Sequence, residues 1–192
     1  MEVNQDIPQL IRAWKSGDKA AEQELFDATY RVLHRIALHC LQAERDAGSM
    51  GPTALLHEAY LRFAKTTNLS IANNGHFLAL VSRVMRRIIV DRARARQSEK
   101  AGGKYMFEPV DSSLNVAVSE RDIDEIIGVD LALRALAERC PRQAQVVELR
   151  YFGGFTEEET AAIMGVSIDT VKFDWKVARL RLKLAINGAA DV

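Results

Sequence analysis

Apolar residues return every three to four positions along almost the whole chain, the period of an α-helix with one buried face. Residues 6–17 carry Leu10, Ile11 and Trp14 at that spacing, and residues 20–44 carry Leu25, Phe26, Tyr30, Leu33, Ile36, Ala37 and Leu41. Gly17 and Asp18 part these two helices. A third helix is expected over 53–65, entered through Gly51 and Pro52. The turn Asn73-Asn74-Gly75 leads into a long helix over 76–97, which Gly102 and Gly103 end. No segment alternates with the two-residue period of a strand.

From 102 to about 124 the period fails, and Pro109, Ser112, Ser113 and Asn115 sit among scattered apolar residues. Helical spacing then resumes over 125–138, 141–152, 156–164 and 167–187. The expected fold is all-α, with two helical lobes, residues 1–102 and 125–192, joined by a flexible acidic linker over 103–124.

The chain of 192 residues is long enough for one large or two small cores, and 48% hydrophobic with 27% charged residues places it among globular proteins. No apolar run reaches membrane-spanning length, and the start MEVNQDIPQL is unlike a secretory signal. Cys40 and Cys140 lie far apart with no CxxC, as expected of free thiols in a reducing cytoplasm. Clustered Ser/His/Asp residues, a phosphate-binding glycine loop and metal-ligand spacing are all missing. The segment HEAYL lacks the second histidine of HExxH, which excludes a zinc protease. No catalytic residue, cofactor or metal is therefore expected, and the chain is not expected to be an enzyme.

Net charge is zero, but the charges are sorted. Arg83, Arg86, Arg87, Arg92, Arg94 and Arg96 crowd the long helix; acids dominate from Glu108 to Asp130; Lys172, Lys176, Arg179, Arg181 and Lys183 follow near the end. Two basic surfaces flanking an acidic stretch suggest two contacts with a polyanion, joined by a segment that avoids it.

The last basic surface carries the most specific pattern. Thr156 and Glu159 have the spacing of a capping box, Gly165 breaks the helix they start, and Ser167 can cap the next. Ala161 is small where two helices must approach closely, and Val166 and Val171 are placed for a shared core. Val171, Trp175, Ala178 and Leu182 form the apolar stripe of the final helix, whereas Asp169, Thr170, Lys172, Phe173 and Lys176 project elsewhere. In a helix-turn-helix such residues enter the major groove: lysines suit phosphate or guanine, and Thr170 and Phe173 suit a thymine methyl. The run PRQAQVVELRYFGGFTEEETAAIMGVSIDTVKFDWKVARLRL closely resembles domain four of sigma-70-type RNA polymerase sigma factors. That resemblance implies that Ser167, Asp169, Thr170, Lys172, Phe173, Lys176 and Arg179 read a minus-thirty-five promoter element.

The first lobe carries a second resemblance. Helical spacing turns Leu55, Leu56, Ala59, Tyr60 and Phe63 inward and His57, Glu58, Leu61, Arg62 and Lys65 outward. HEAYLRF is similar to the sigma domain-two helix that docks on the polymerase clamp, which implies polymerase contacts at His57, Glu58, Leu61 and Arg62. The long helix resembles the segment that melts and holds the minus-ten element, implying phosphate contacts at Arg83, Arg86, Arg87 and Arg94. It also implies a flipped-base site at Asn73, Asn74 and His76. With room only for domains two and four, the chain resembles the extracytoplasmic-function (ECF) class of sigma factor. The implied partners are core RNA polymerase and promoter DNA, and an anti-sigma factor is compatible with the same surfaces. A stand-alone helix-turn-helix regulator is the alternative, but it accounts for the C-terminal lobe only.

One departure from the class stands out. Members of it carry an acidic run just before the clamp-docking helix, and here that run falls on Gly51, Pro52, Thr53 and Ala54, with no carboxylate. The sequence GPTALLHEAYLRF resembles a branch with QPTAL-like sequences whose members are linked to Ser/Thr protein kinases. Pro52 fits a first helical position, which places Thr53 among unpaired amide N–H groups. A phosphate there brings about −1.5 to −2 charges to a helix N-terminus. Thr53 is therefore the expected regulatory phosphorylation site, with Ser49 less well placed.

Overall fold

The computed structural model describes residues 6–43, 50–66, 71–101 and 120–188, and among these the chain is helical with no strand. Helix α1 (Ile7–Lys15) is opened by Asp6, whose carboxylate accepts from the Gln9 amide. Asp18 caps α2 (Lys19–Ala43) in the same way, accepting from the amides of Ala20 and Ala21. Helix α3 (Pro52–Lys65) follows, and its last carbonyls are not left bare. Lys15 donates to the carbonyls of Phe63 at 2.6 Å and Ala64 at 2.8 Å, tying the end of α1 to the end of α3.

Helix α4 (Asn74–Ala101) begins inside the expected turn. Asn73 accepts from the His76 amide at 2.7 Å, the bond that nucleates the first turn. Helix α5 (Glu120–Arg139) starts before the expected position of 125. Helix α6 (Pro141–Val147) does not run on as an α-helix to 152; it passes into a π-helical turn, Glu148–Phe152. The wider turn points Glu148, Leu149 and Phe152 all inward, a change of winding that apolar spacing does not encode.

Helices α7 (Glu157–Met164) and α8 (Ile168–Gly188) complete the described residues. The capping box of Thr156 and Glu159 is formed in both directions, and Gly165 takes the left-handed conformation (φ 66°) that turns α7 into α8. The expected core of this pair is present: Ala161 and Val171 are buried with Val166 packed beside them, and Val146 of α6 joins them.

A single apolar cluster runs through both halves of the described chain. Ile11, Ile36, Leu55, Leu56 and Val81 belong to it, and so do Leu133, Leu136, Leu149, Phe152 and Ala178. The face of α4 expected from spacing was Phe77, Leu80, Val81, Val84 and Ile88. In the structure Leu78, Met85, Ile89 and Val90 are buried as well, while Leu80 and Val84 are only partly so. The second buried face arises because α5 and the π turn pack against α4 in addition to α2 and α3. Where α7 ends against the start of α4, Gly75 is required: a Cβ there would lie 2.2 Å from the Ile163 carbonyl oxygen.

Candidate functional site

Three surfaces carry the residues singled out by sequence. The first is α3. Leu55, Leu56, Ala59 and Phe63 are buried, and Tyr60 is held by stacking on Trp14, with ring centroids 5.0 Å apart. The Tyr60 hydroxyl donates to Glu22 at 2.5 Å; burial and that carboxylate together push its ionisation well above the usual phenol range. This rigid base leaves His57 and Leu61 exposed beside a surface hollow of about 430 Å³, lined also by Lys19, Glu22, Gln23, Phe26 and Tyr60. Leu61 is 53% exposed. Arg62 and Glu58 are paired with each other, and Arg62 reaches Asp91 of α4 at 2.9 Å.

The start of α3 is poor in charge and in caps. Gly51 is its N-cap with no side-chain hydrogen bond, Pro52 opens the first turn, and that turn holds no acid. Thr53 is exposed there. Ser49 and most of the linker expected over 103–124 fall outside the described residues.

The second surface is α4 and its leading loop. Asn73 and His76 are exposed and joined by short-range bonds, the His76 ring accepting from the Ala72 amide at 3.2 Å. Asn74 instead accepts from the Ile7 amide, so its side chain also serves to dock α1. The arginines differ sharply from one another. Arg86, expected at DNA phosphates, is buried at 2% exposure. Its guanidinium donates to both oxygens of Glu148, at 3.2 and 2.8 Å, and to Asp130. Burial works against its charge, but Glu148 and Asp130 outweigh that and hold it above the ordinary arginine value.

Arg94 also reaches Asp130, at 3.2 Å, and Arg83 lies 3.8 Å from Glu148. Arg134 of α5 adds a further bond to Asp130 at 2.9 Å. Arg87 remains exposed, and partial burial and its neighbours Arg134, Arg86 and Arg83 lower its basicity. In this packing, then, Arg86 is engaged by Glu148 and Asp130, and Arg83 and Arg94 share their charge with the same two carboxylates.

The third surface is α8. Ser167 takes the cap position, accepting from the Thr170 amide at 3.1 Å and bonding its hydroxyl at 2.8 Å. Asp169, Lys172, Phe173, Lys176 and Arg179 are exposed, Phe173 at 63%. The helix is clamped from behind by Asp174, which is buried and accepts from Arg142 at 2.6 and 3.2 Å. Spacing could have flagged Asp174, since it falls between Val171 and Ala178 on the buried side. The same holds for Asp130, four residues after buried Ile126 and three before Leu133.

The expected DNA contact of Phe173 has a direct check. Phe173→Ala is expected to weaken binding to duplex DNA carrying a recognised element by about 1–3 kcal/mol. Thermal unfolding should shift little, because the ring is exposed and touches no core. Fluorescence anisotropy of wild type and variant would read the difference, and equal affinities would remove Phe173 from the reading surface.

An all-α chain that ends in a helix-turn-helix with its recognition face open has the architecture of a DNA-binding transcription protein. The family model for ECF sigma factors matches residues 4–188, nearly the full length, and the chain belongs to that family. The family consists of transcription initiation factors and not of enzymes. ECF RNA polymerase sigma factor SigK of Mycobacterium tuberculosis (strain ATCC 25618 / H37Rv) is 28% identical over 173 residues, 88% of each chain. SigK of Mycobacterium ulcerans (strain Agy99) is 28% identical over 169 residues, 87% of this chain and 86% of its own. ECF RNA polymerase sigma factor SigM of M. tuberculosis (strain ATCC 35801 / TMC 107 / Erdman) is 27% identical over 177 residues, 92% of this chain and 82% of SigM. Because these matches run through both halves, a stand-alone helix-turn-helix regulator is not favoured. No helix among the described residues is long and apolar enough to cross a membrane.

Proposed function

We propose that this ECF sigma factor docks on core RNA polymerase through the outward face of α3 and directs it to two-element promoters, and that phosphorylation of Thr53 completes the docking surface. Residues 1–102 would act as the polymerase-binding and minus-ten lobe and residues 125–192 as the minus-thirty-five lobe. His57, Glu58, Leu61 and Arg62 would face the polymerase. Asn73, Asn74, His76, Arg83, Arg86, Arg87 and Arg94 would meet the melted strand, and Ser167, Asp169, Thr170, Lys172, Phe173, Lys176 and Arg179 the upstream duplex. A Ser/Thr protein kinase is then a required partner, while an anti-sigma factor would act by covering the same faces.

The observation that carries the reading is the contrast along α3. Its middle offers an exposed leucine amid charged groups, the mixture a protein interface uses. Its beginning offers open amides with neither cap nor acid. A phosphate on exposed Thr53 would sit where the helix dipole and those amides stabilise negative charge, by about 0.3–1 kcal/mol. The gain in docking would come from the polymerase side, where about 1.4 kcal/mol of added attraction is tenfold in affinity.

The test is run-off transcription on genomic fragments with core polymerase and unmodified, Thr53→Glu or Thr53→Ala protein. Thr53→Glu is expected to yield about tenfold more transcript than unmodified protein from the responsive promoters, and Thr53→Ala no more than the unmodified protein. Equal yields from all three proteins would end the phosphorylation reading. Silence from all three at every promoter would end the initiation reading.

A further inference from the structure

Asp174 is an acid on the helix that is expected to meet DNA, a placement that by charge alone works against binding a polyanion. Its side chain is 1% exposed and anchors α8 from the buried side. It accepts from Arg142 Nε at 2.6 Å, Arg142 Nη2 at 3.2 Å and Gln143 Nε2 at 3.4 Å. The arginine it holds is not buried: the Arg142 side chain is 58% exposed, and its Nη1 makes no hydrogen bond among the described residues. We propose that Asp174 is a positioning residue that aims Arg142 at a DNA phosphate, and that Arg142 with Arg181 forms a second phosphate-binding edge of α8, across the helix from the lysines. The proposal rests on the reading of α8 as the duplex-binding helix and adds two contacts and one acid to it.

Helical spacing sets out the two edges. Lys172, Lys176 and Arg179 follow one side of the buried stripe of Val171, Trp175 and Ala178. Thr170, Asp174 and Arg181 follow the other side. Gln143 ties this second edge together: its amide donates to Asp174, and its oxygen accepts from Arg181 at 3.0 Å. Arg181 also reaches the Cys140 sulfur and remains exposed. A helix in the major groove lies between two phosphate backbones, one on each side. Cations along a single edge would hold one of them. Cations along both edges hold the duplex from either side, whatever its sequence.

The chemistry of the pair accounts for the acid. Burying a carboxylate is costly, and an apolar residue at position 174 would pack beside Val171 and Ala178 with no charge to desolvate. What the carboxylate adds is geometry. It takes two nitrogens of the planar guanidinium and so fixes the plane and direction of the group, which an unpaired arginine on its flexible stem lacks. The rotamer freedom of Arg142 is thus given up on folding and not on binding DNA. Nor does the acid make this edge repel phosphate, since Arg142 and Arg181 set two cations against one carboxylate.

The experiment is fluorescence anisotropy of the full chain with a fluorescein-labelled duplex of mixed sequence, from about 50 to 200 mM salt, with a melting curve for every variant. Removing an acid from a DNA-binding helix raises affinity if the acid acts through its charge alone, and lowers it if the acid aims an arginine. The sign of the Asp174→Asn effect therefore decides, and about fivefold weaker binding is expected. Arg142→Ala and Arg181→Ala should each bind about eightfold more weakly at about 100 mM salt, and each should reduce the slope of log affinity against log salt by about 0.9. Arg142→Lys should keep the slope but bind about threefold more weakly, because lysine carries the charge without the planar fork. In an Arg142→Ala background, Asp174→Asn should weaken binding no further. Lys172→Ala/Lys176→Ala reports on the reading of α8 itself, with the slope expected to fall by about 1.8. If that variant binds like wild type, α8 is not the duplex-binding helix, and the second edge falls with it. If it loses affinity while Arg181→Ala loses none, or while Asp174→Asn binds more tightly, the proposal is overturned and the reading of α8 stands. Arg142→Lys matching wild type in both affinity and slope would remove the aiming role of Asp174. Should Arg142→Ala fail to fold, with Asp174 left buried and alone, Arg142→Lys and Arg181→Ala carry the test.

Discussion

Arg86→Ala is expected to lower the unfolding free energy by about 3–5 kcal/mol, because it strands two buried carboxylates without their counter-charge. Asp130 is fully buried and Glu148 is 2% exposed, so water does not replace the lost guanidinium unless the junction opens. Arg86 also lies over the Phe152 ring, at 5.4 Å from its centroid, so the substitution removes packing as well as charge. Arg86→Lys is the informative companion. It keeps one positive charge but cannot form the two-pronged contact with Glu148 while also reaching Asp130, so it should recover only part of the loss. Urea denaturation of the three proteins would rank them. A loss below about 1 kcal/mol for Arg86→Ala would mean that the network is solvated in solution and the halves are already apart.

Leu61→Asp is expected to weaken binding to core polymerase by at least 2 kcal/mol, about thirtyfold, with the stability of the protein itself unchanged to within about 0.5 kcal/mol. The two halves of that expectation come from the same number. At 53% exposure Leu61 contributes little to the fold, yet it stands at the rim of the hollow over Tyr60 and Phe26, where a partner side chain would exclude water from it. Pull-down or interferometry with core enzyme, alongside a melting curve, separates a docking defect from a folding one. Full binding by Leu61→Asp would move the polymerase contact away from the outward face of α3.

These two residues also mark how far the linear sequence reaches. Leu61 was legible because one helix decides its fate: the i, i+3, i+4 pattern of Leu55, Leu56, Ala59 and Phe63 fixes an inward face, and Leu61 falls opposite. The turn between α7 and α8 was legible for the same kind of reason, since Thr156, Glu159 and Gly165 act within a few residues of each other. Arg86 was not. In sequence it belongs to a basic run and looks like a solvent-facing charge, and the one carboxylate within ten residues, Asp91, pairs with Arg62 instead. Asp130 and Glu148 are 44 and 62 residues away, and Asp130 in particular is set among other acids that suggested a solvated stretch.

The sequence by itself determined the all-helical pattern, the caps of α7 and α8, the helix-turn-helix and the acid-free start of α3, because each is settled by forces acting within one or two turns. Only the tertiary structure decided that α4 has a second buried face and that Arg83, Arg86 and Arg94 meet carboxylates of the C-terminal half. Which opposite charges meet when distant helices pack depends on how the apolar faces of α2, α4, α5 and the π turn close over one another. That closure is a property of the assembled core, and no local spacing encodes it.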